Sequence, residues 1–353
     1  MKKNIIAMAV AAAVAAPAAA MADTTLYGKI HTSYDFWGGD TADGNDYSLS
    51  SNNSRIGIKG KEEISDQLSL IYQWENGVDW GGKDGGLQSE TRNTFIGFTG
   101  GWGTAIAGKH DTPFKMVGRK YELFHDTVAD ARGITRLSNY GDDWDRRTDN
   151  TVAYMTPNLA GFSATLAYVS DHDNSLDNDN DAYSISAGYA LAGFTIDAAY
   201  EKHNIRDMGA PGMTSDSDAW RVGAGYSFGG FKVVGLYQKT NDIGFVSGMD
   251  TDIWGVGGAY SFGNSTVKAQ YYYQDDFDGT SDTDVDMWAV GYDYKLSKQT
   301  SVYAVYASMD ASANSVSTLI PQSGGGYHGD NPSYKYAAGN DSNAFSLGLI
   351  HKF

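Results

Sequence analysis

Glu122, Asp126 and Asp130 stand four residues apart in the stretch RKYELFHDTVADAR, residues 119–132. Read as a helix, that spacing lines the three carboxylates up on one face. Like charges so placed repel and weaken a helix. Most acidic runs are solvated faces. The other reading is a charged surface that faces cations from elsewhere in the chain, and it depends on which elements bring those cations near.

Other chemistry is sparse. The seven histidines (His31, His110, His125, His172, His203, His328 and His351) are scattered, and none falls in the His-Glu-x-x-His spacing that holds zinc. Cys is absent, which excludes thiol catalysis, thiolate metal sites and a disulfide scaffold. The glycines of GWGTAIAG (101–108) follow no helix-bearing βαβ unit and read as a turn rather than a phosphate cradle. No nucleophile is paired with a base. The chain reads as a non-enzyme with no catalytic residue, cofactor or metal.

The elements that would position the acidic stretch are strands. AYMTPNLAGFSATLAYVS (153–170), AGYALAGFTIDAAYEK (187–202), GAGYSFGGFKVVGLYQK (223–239) and GGAYSFGNSTVKAQYYYQ (257–274) share one design: an aromatic, a short turn, then an alternating strand ending on an aromatic. Phe194, Ile196, Ala198 and Tyr200 fall on one face, Thr195, Asp197 and Ala199 on the other. Period two over such spans marks a two-faced strand. Sixteen strands are expected, near 24–37, 52–62, 66–76, 90–99, 103–109, 147–156, 161–170, 182–190, 193–202, 218–227, 230–239, 251–262, 265–274, 284–294, 299–308 and 341–353. Short Gly-, Asn- or Pro-bearing connections alternate with long acidic ones. Pro113, Pro157, Pro211, Pro321 and Pro332 all fall in connections, as a fully hydrogen-bonded sheet requires.

The residues 1–22, MKKNIIAMAVAAAVAAPAAAMA, read as a cleaved signal peptide, and residues 23–353 as one barrel domain. No later stretch is apolar enough for a spanning helix. Removing Lys2 and Lys3 takes the formal charge from −17 to −19, which argues against nucleic acid as a partner. Phe162 and Tyr168, Phe194 and Tyr200, and Phe231 and Tyr237 are each six residues apart, so each pair faces one way. They mark the two ends of an apolar strand face, as aromatic girdles do in a membrane barrel. The competing reading is a soluble sandwich with an aromatic core. Phe345, Leu347, Leu349 and Phe353 share one parity in the final strand, which leaves no free edge if it pairs with the first.

With LYGKI (26–30), SRIGIKGKEE (54–63), LSLIYQWEN (68–76), a long third outer connection and a terminal Phe, the sequence resembles the Gram-negative general porins. These are trimeric, sixteen-stranded diffusion channels of the outer membrane. The resemblance implies an all-β, antiparallel, up-and-down transmembrane β-barrel whose third outer loop, here about 110–146, folds inward. It implies that Glu122, Asp126 and Asp130 face basic wall residues at Lys29, Arg55, Arg92 and Arg147. Alternation independently points Lys29, Arg55 and Arg147 inward, because they oppose apolar neighbours. Where the enterobacterial porins carry a Pro-Glu-Phe-Gly-Gly turn, this chain has FHDTVAD.

The expected function is passive diffusion of small hydrophilic solutes and ions, with mild cation preference from the acidic charge. A substrate-specific channel, for sugars for example, and a surface adhesin that forms no channel are the alternatives. Expected partners are two further copies in a homotrimer, outer-membrane lipid and lipopolysaccharide, and the barrel-assembly machinery, with Phe353 as its C-terminal signal. The acidic outer loops read as hydrated rather than as divalent-cation sites.

Overall fold

The computed structural model describes residues 23–39, 46–80, 86–170, 180–205, 211–315, 339 and 341–353. The expected signal segment lies outside the described residues. Eighteen strand segments form one antiparallel sheet. They are β1 (Thr25–Gly39), β2 (Asp46–Ser51), β3 (Arg55–Ser65), β4 (Leu68–Asp79), β5 (Gly86–Thr91), β6 (Thr94–Gly100), β7 (Gly103–Asp111), β8 (Arg147–Met155), β9 (Phe162–Val169), β10 (Ala182–Leu191), β11 (Phe194–Asn204), β12 (Asp216–Phe228), β13 (Phe231–Asn241), β14 (Thr251–Phe262), β15 (Ser265–Gln274), β16 (Val285–Lys295), β17 (Thr300–Ala311) and β18 (Ser342–Lys352). β2 and β3 both pair with β1, and β5 and β6 both pair with β4, so each couple is one broken strand. Sixteen barrel positions result. β1 pairs with β18 from Lys29↔Lys352 to Gly39↔Ser342 and closes the barrel. Closure leaves no backbone edge to hydrogen-bond within a membrane.

The expected boundaries lie within a few residues of the observed ones, except that the second strand starts at Asp46. The two breaks were not anticipated. Asn53, with φ 54°, interrupts the first couple, and residues 92–93 interrupt the second.

Alternation places the side chains. On β11, Phe194, Ile196 and Tyr200 are exposed on the barrel exterior, whereas Ala199, Glu201 and His203 are buried inside. At the short-turn end Phe228 stacks on Phe231 and Phe231 on Tyr260, with ring centroids 5.4 and 4.3 Å apart. Toward the other end Trp220 meets Tyr237, and Trp288 meets Tyr306, at 4.9 and 5.4 Å. These two aromatic levels are the girdles expected from the six-residue spacing. Phe353 exchanges backbone hydrogen bonds with Gly28 at 3.0 and 3.1 Å. Its ring occupies the space a Cβ on Gly28 would need, 2.4 Å from that position.

Residues 112–146 fold into the barrel. Helix α1 (Pro113–Lys120) starts where Thr112 accepts from the Lys115 N–H, with Pro in the first turn, and ends on Arg119 and Lys120. Each feature favours a helix at that position. The helix stops there. Residues 121–131 form turns, Asp126 has φ 58°, and only the short α2 (Arg132–Thr135) and a 3-10 turn (Ser138–Tyr140) follow. The helical reading of 119–132 is therefore corrected. Carboxylates that would repel along a helix instead serve backbone donors: Glu122 accepts from the Ala131 N–H and Asp130 from the Asp126 N–H, both at 2.8 Å.

The loop rests on an apolar floor inside the barrel. Phe114, Phe124, Ile134 and Trp144 are buried with Ile253, Met287 and Val305 of β14, β16 and β17. The lumen is thus filled on that side and open on the side of β1 to β8.

Candidate functional site

Between the loop and the wall of β1 to β8 lies a polar cavity of about 400 Å³. Seven cations line it: Arg55, Arg92 and Arg147 on the wall side, and Lys115, Arg119, Lys120 and Arg132 on the loop side. Two carboxylates do so as well, Asp111 and Asp126.

Of the three loop acids, Asp126 alone reaches this cavity. It accepts from Lys29 of β1 at 2.7 Å and from Arg119 at 2.9 Å. Burial works to raise its carboxyl, but the charges of Lys29, Arg119 and Arg132 outweigh it and hold Asp126 well below the usual range. Glu122 and Asp130 lie behind, 4% and 1% exposed. Arg119 joins both, at 2.8 and 2.9 Å, and Arg132 holds Asp130 at 2.7 Å. Burial, reinforced by the neighbouring Asp130 charge, pushes Glu122 up to about 8. Burial and the adjacent Asp130 charge thus favour the protonated form of Glu122, against the pull of Arg119 and Arg132.

The expected site residues meet different partners from those implied. Only Lys29 reaches across to a loop acid. Arg92 and Arg55 turn to Glu75 of β4, at 2.6 and 3.4 Å. Tyr27 also donates to Glu75, at 2.9 Å. Arg147 pairs with Asp111, the last residue of β7, at 3.1 Å, and Lys115 bonds the same carboxylate at 2.8 Å. The loop acids are balanced mainly by Arg119 and Arg132 of the loop itself.

Glu75, Asp111, Lys115, Arg119 and Arg132 were missed by sequence reasoning, as were Asn53 and Asn93. Glu75 had a signal, since alternation in LSLIYQWEN sets it opposite Trp74, which is exposed. Arg119 and Arg132 frame the acidic stretch at its two ends, and that framing is the signal for them. Nothing local marks Asn53.

Two buried clusters hold the loop. Arg221 of β12 donates to Asp145 at 2.9 Å and to the Phe114 carbonyl at 3.1 Å, and it stacks over the Phe114 ring at 4.1 Å. It therefore grips both ends of the loop. Gly118 makes room for it, because a Cβ there would lie 2.1 Å from Arg221 Nη1. His203 of β11 lies between Asp142 and Glu201, at 2.8 and 2.9 Å, with Trp144 stacked 4.3 Å away.

A family model described as Gram-negative porin matches residues 7–314. Among curated proteins, the major outer membrane protein P.IB of Neisseria gonorrhoeae is 30% identical over 201 residues, 55% of either chain. That of Neisseria meningitidis serogroup A is 31% identical over 216 residues, 58% of this chain and 60% of the relative. The chain thus spans little more than half the length of these relatives. Among solved structures, the anion-selective porin from Comamonas acidovorans matches with TM-score 0.80 at 24% identity, over 94% of this chain and 99% of that one. OmpF of Salmonella typhi matches with TM-score 0.71 at 17% identity, over 94% and 97%. A trimer form of OmpT from Vibrio cholerae matches with TM-score 0.67 at 19% identity, over 94% and 100%. At these identities the structural matches speak for the fold alone.

Proposed function

The chain belongs to the Gram-negative porin family of outer-membrane β-barrels, which is not a family of enzymes, and from that premise we propose that it is a passive diffusion channel for small hydrophilic solutes and ions. The observation that carries this reading is the charged cavity between the inward-folded loop and the β1–β8 wall. Opposed charges across a narrow aqueous passage orient dipolar solutes and disfavour apolar ones, which gain nothing in exchange for the ordered water they displace. Rings of charge select ions by sign.

The overall acidity of the chain pointed to mild cation preference. The local balance points the other way: seven cations and two carboxylates line the cavity, and with the partners bonded to them (Lys29, Glu75, Glu122, Asp130 and Asp197) a smaller cationic excess of eight to six remains. An ion senses charges within about a Debye length, roughly 8 Å at physiological salt. We therefore assign the channel a mild anion preference. The Comamonas structure of the same fold is an anion-selective porin by its own description, which is consistent with this assignment. A homotrimer, contact with lipopolysaccharide, and a role for Phe353 in barrel assembly belong to the same proposal.

Reversal potential across a planar bilayer under a potassium chloride gradient tests it. Anion preference is expected. A folded protein that passes no current would reject the channel, and cation preference would reject the selectivity.

A further inference from the structure

The two breaks in the barrel wall each carry an asparagine placed between opposite charges. Asn53 joins β2 to β3. Its Oδ1 accepts from Arg92 Nη1 at 2.7 Å, and its Nδ2 donates to Asp126 at 2.9 Å. Its main-chain carbonyl accepts from Arg55 at 3.3 Å. Asn93 joins β5 to β6. Its Oδ1 accepts from Arg147 Nε at 2.6 Å, and its Nδ2 donates to Asp111 at 3.3 Å. The amide orientations are forced, since a guanidinium only donates and a carboxylate only accepts.

An amide can serve a cation and an anion at once while carrying no charge. That matters most at Asn53. Among the described residues, Arg92 forms its ion pair with Glu75 and Asp126 with Lys29, Arg119 and Arg132; no ion pair joins Arg92 to Asp126. At Asn93 the separation is partial, because Arg147 also reaches Asp111 directly at 3.1 Å. The backbone does not account for the residue type. Asn, Asp and Gly all tolerate the left-handed conformation that Asn53 adopts.

We propose that Asn53 is a positioning residue for permeation, a neutral spacer that holds Arg92 of the wall and Asp126 of the loop at the passage without letting them neutralise each other. Both side chains line the cavity, each held by its own ion-pair partners. The proposal rests on the channel reading above and names the residue that sets its selectivity. Asn53→Asp puts a carboxylate between Arg92 and Asp126, against the Asp126 carboxylate that loses its amide donor. Asn53→Gly keeps the backbone and removes the spacer, freeing Arg92 and Asp126 to pair.

The test compares reversal potentials of purified wild type, N53D and N53G in bilayers, with heat-modifiable gel migration as the check on folding. N53D is expected to lower the anion-over-cation permeability ratio roughly tenfold, because one unit charge about 6 Å from the ion path in a water-like dielectric shifts anion and cation by about threefold each, in opposite senses. N53G is expected to lower it less and to increase current noise. Equal shifts in both variants would reduce Asn53 to a structural spacer, and unchanged ratios in conducting variants would also overturn the proposal. A folded wild type that conducts nothing would remove the channel reading, and this inference with it.

Discussion

Arg221 on β12 and Asp145 at the end of the inward loop form an ion pair at 2.9 Å, with both side chains sealed from solvent. The same guanidinium donates to the Phe114 carbonyl at the loop's beginning. One side chain of the wall thus fastens a loop of more than thirty residues at both ends. The loop is a fixed partition of the lumen rather than a flap.

Breaking that pair from one side strands a buried charge, a loss of about 3–5 kcal/mol. Arg221→Met is expected to release the loop while the strand ladder remains. Protease sensitivity within 112–146 and current noise should both rise, at unchanged barrel migration on a detergent gel. A quiet, protease-resistant variant would show that the apolar floor alone holds the loop.

Asp126 is the single loop acid at the passage, so Asp126→Asn and Glu122→Gln should differ. The first removes a negative charge from the cavity surface and is expected to raise anion preference, seen as a larger reversal potential. The second leaves that surface unaltered and should leave the potential near wild type at neutral pH.

Glu122 also predicts a pH response. Its folded carboxyl titrates at about 8, against 4.5 for an ordinary glutamate. A folded value above the unfolded one means the folded loop binds the proton more tightly. The stability this adds is complete below the unfolded value and is lost as pH rises through about 8. Raising the pH past that point should loosen the loop and weaken anion preference, because a second negative charge appears beside Asp130. Glu122→Gln should flatten the response; a wild-type profile flat across that range would refute it.

Wall cations give the complementary test. Neutralising Arg55, Arg92 and Arg147 together to Gln removes three of the seven cations at the cavity. The permeability ratio should move toward cations, and conductance in low salt should change more than in high salt, where screening already mutes the field. A ratio unmoved by the triple change would place the selectivity elsewhere.

Much of the barrel was legible because a two-faced strand writes its environment into its sequence. Phe194, Ile196 and Tyr200 had to share a face, and that face is the exterior. The breaks at Asn53 and at residues 92–93 were not legible. They come from local contacts of Asn53 and Asn93 with residues far away in the chain. The loop misled for a related reason. Helical periodicity in 119–132 was real as a pattern, but Arg119 and Arg132 gather Glu122, Asp126 and Asp130 more effectively around turns than a helix would in a stripe.

By itself the sequence determined the strand count, the up-and-down order, the outward apolar face and the inward direction of Lys29, Arg55 and Arg147, because each follows from period-two alternation and turn chemistry. The pairing of charges was decided only by tertiary structure. Electrostatic partners are chosen by distance in space, and folding the loop into the lumen brings Asp126 to Lys29, 97 positions away in the chain. The β3–β4 hairpin and the break between β5 and β6 set Glu75 beside Arg55 and Arg92, and the folded loop sets Asp126 against Asn53, which also holds Arg92. Total charge was readable from composition, but the sign of the field at the narrow point depends on which few of those charges the fold leaves there.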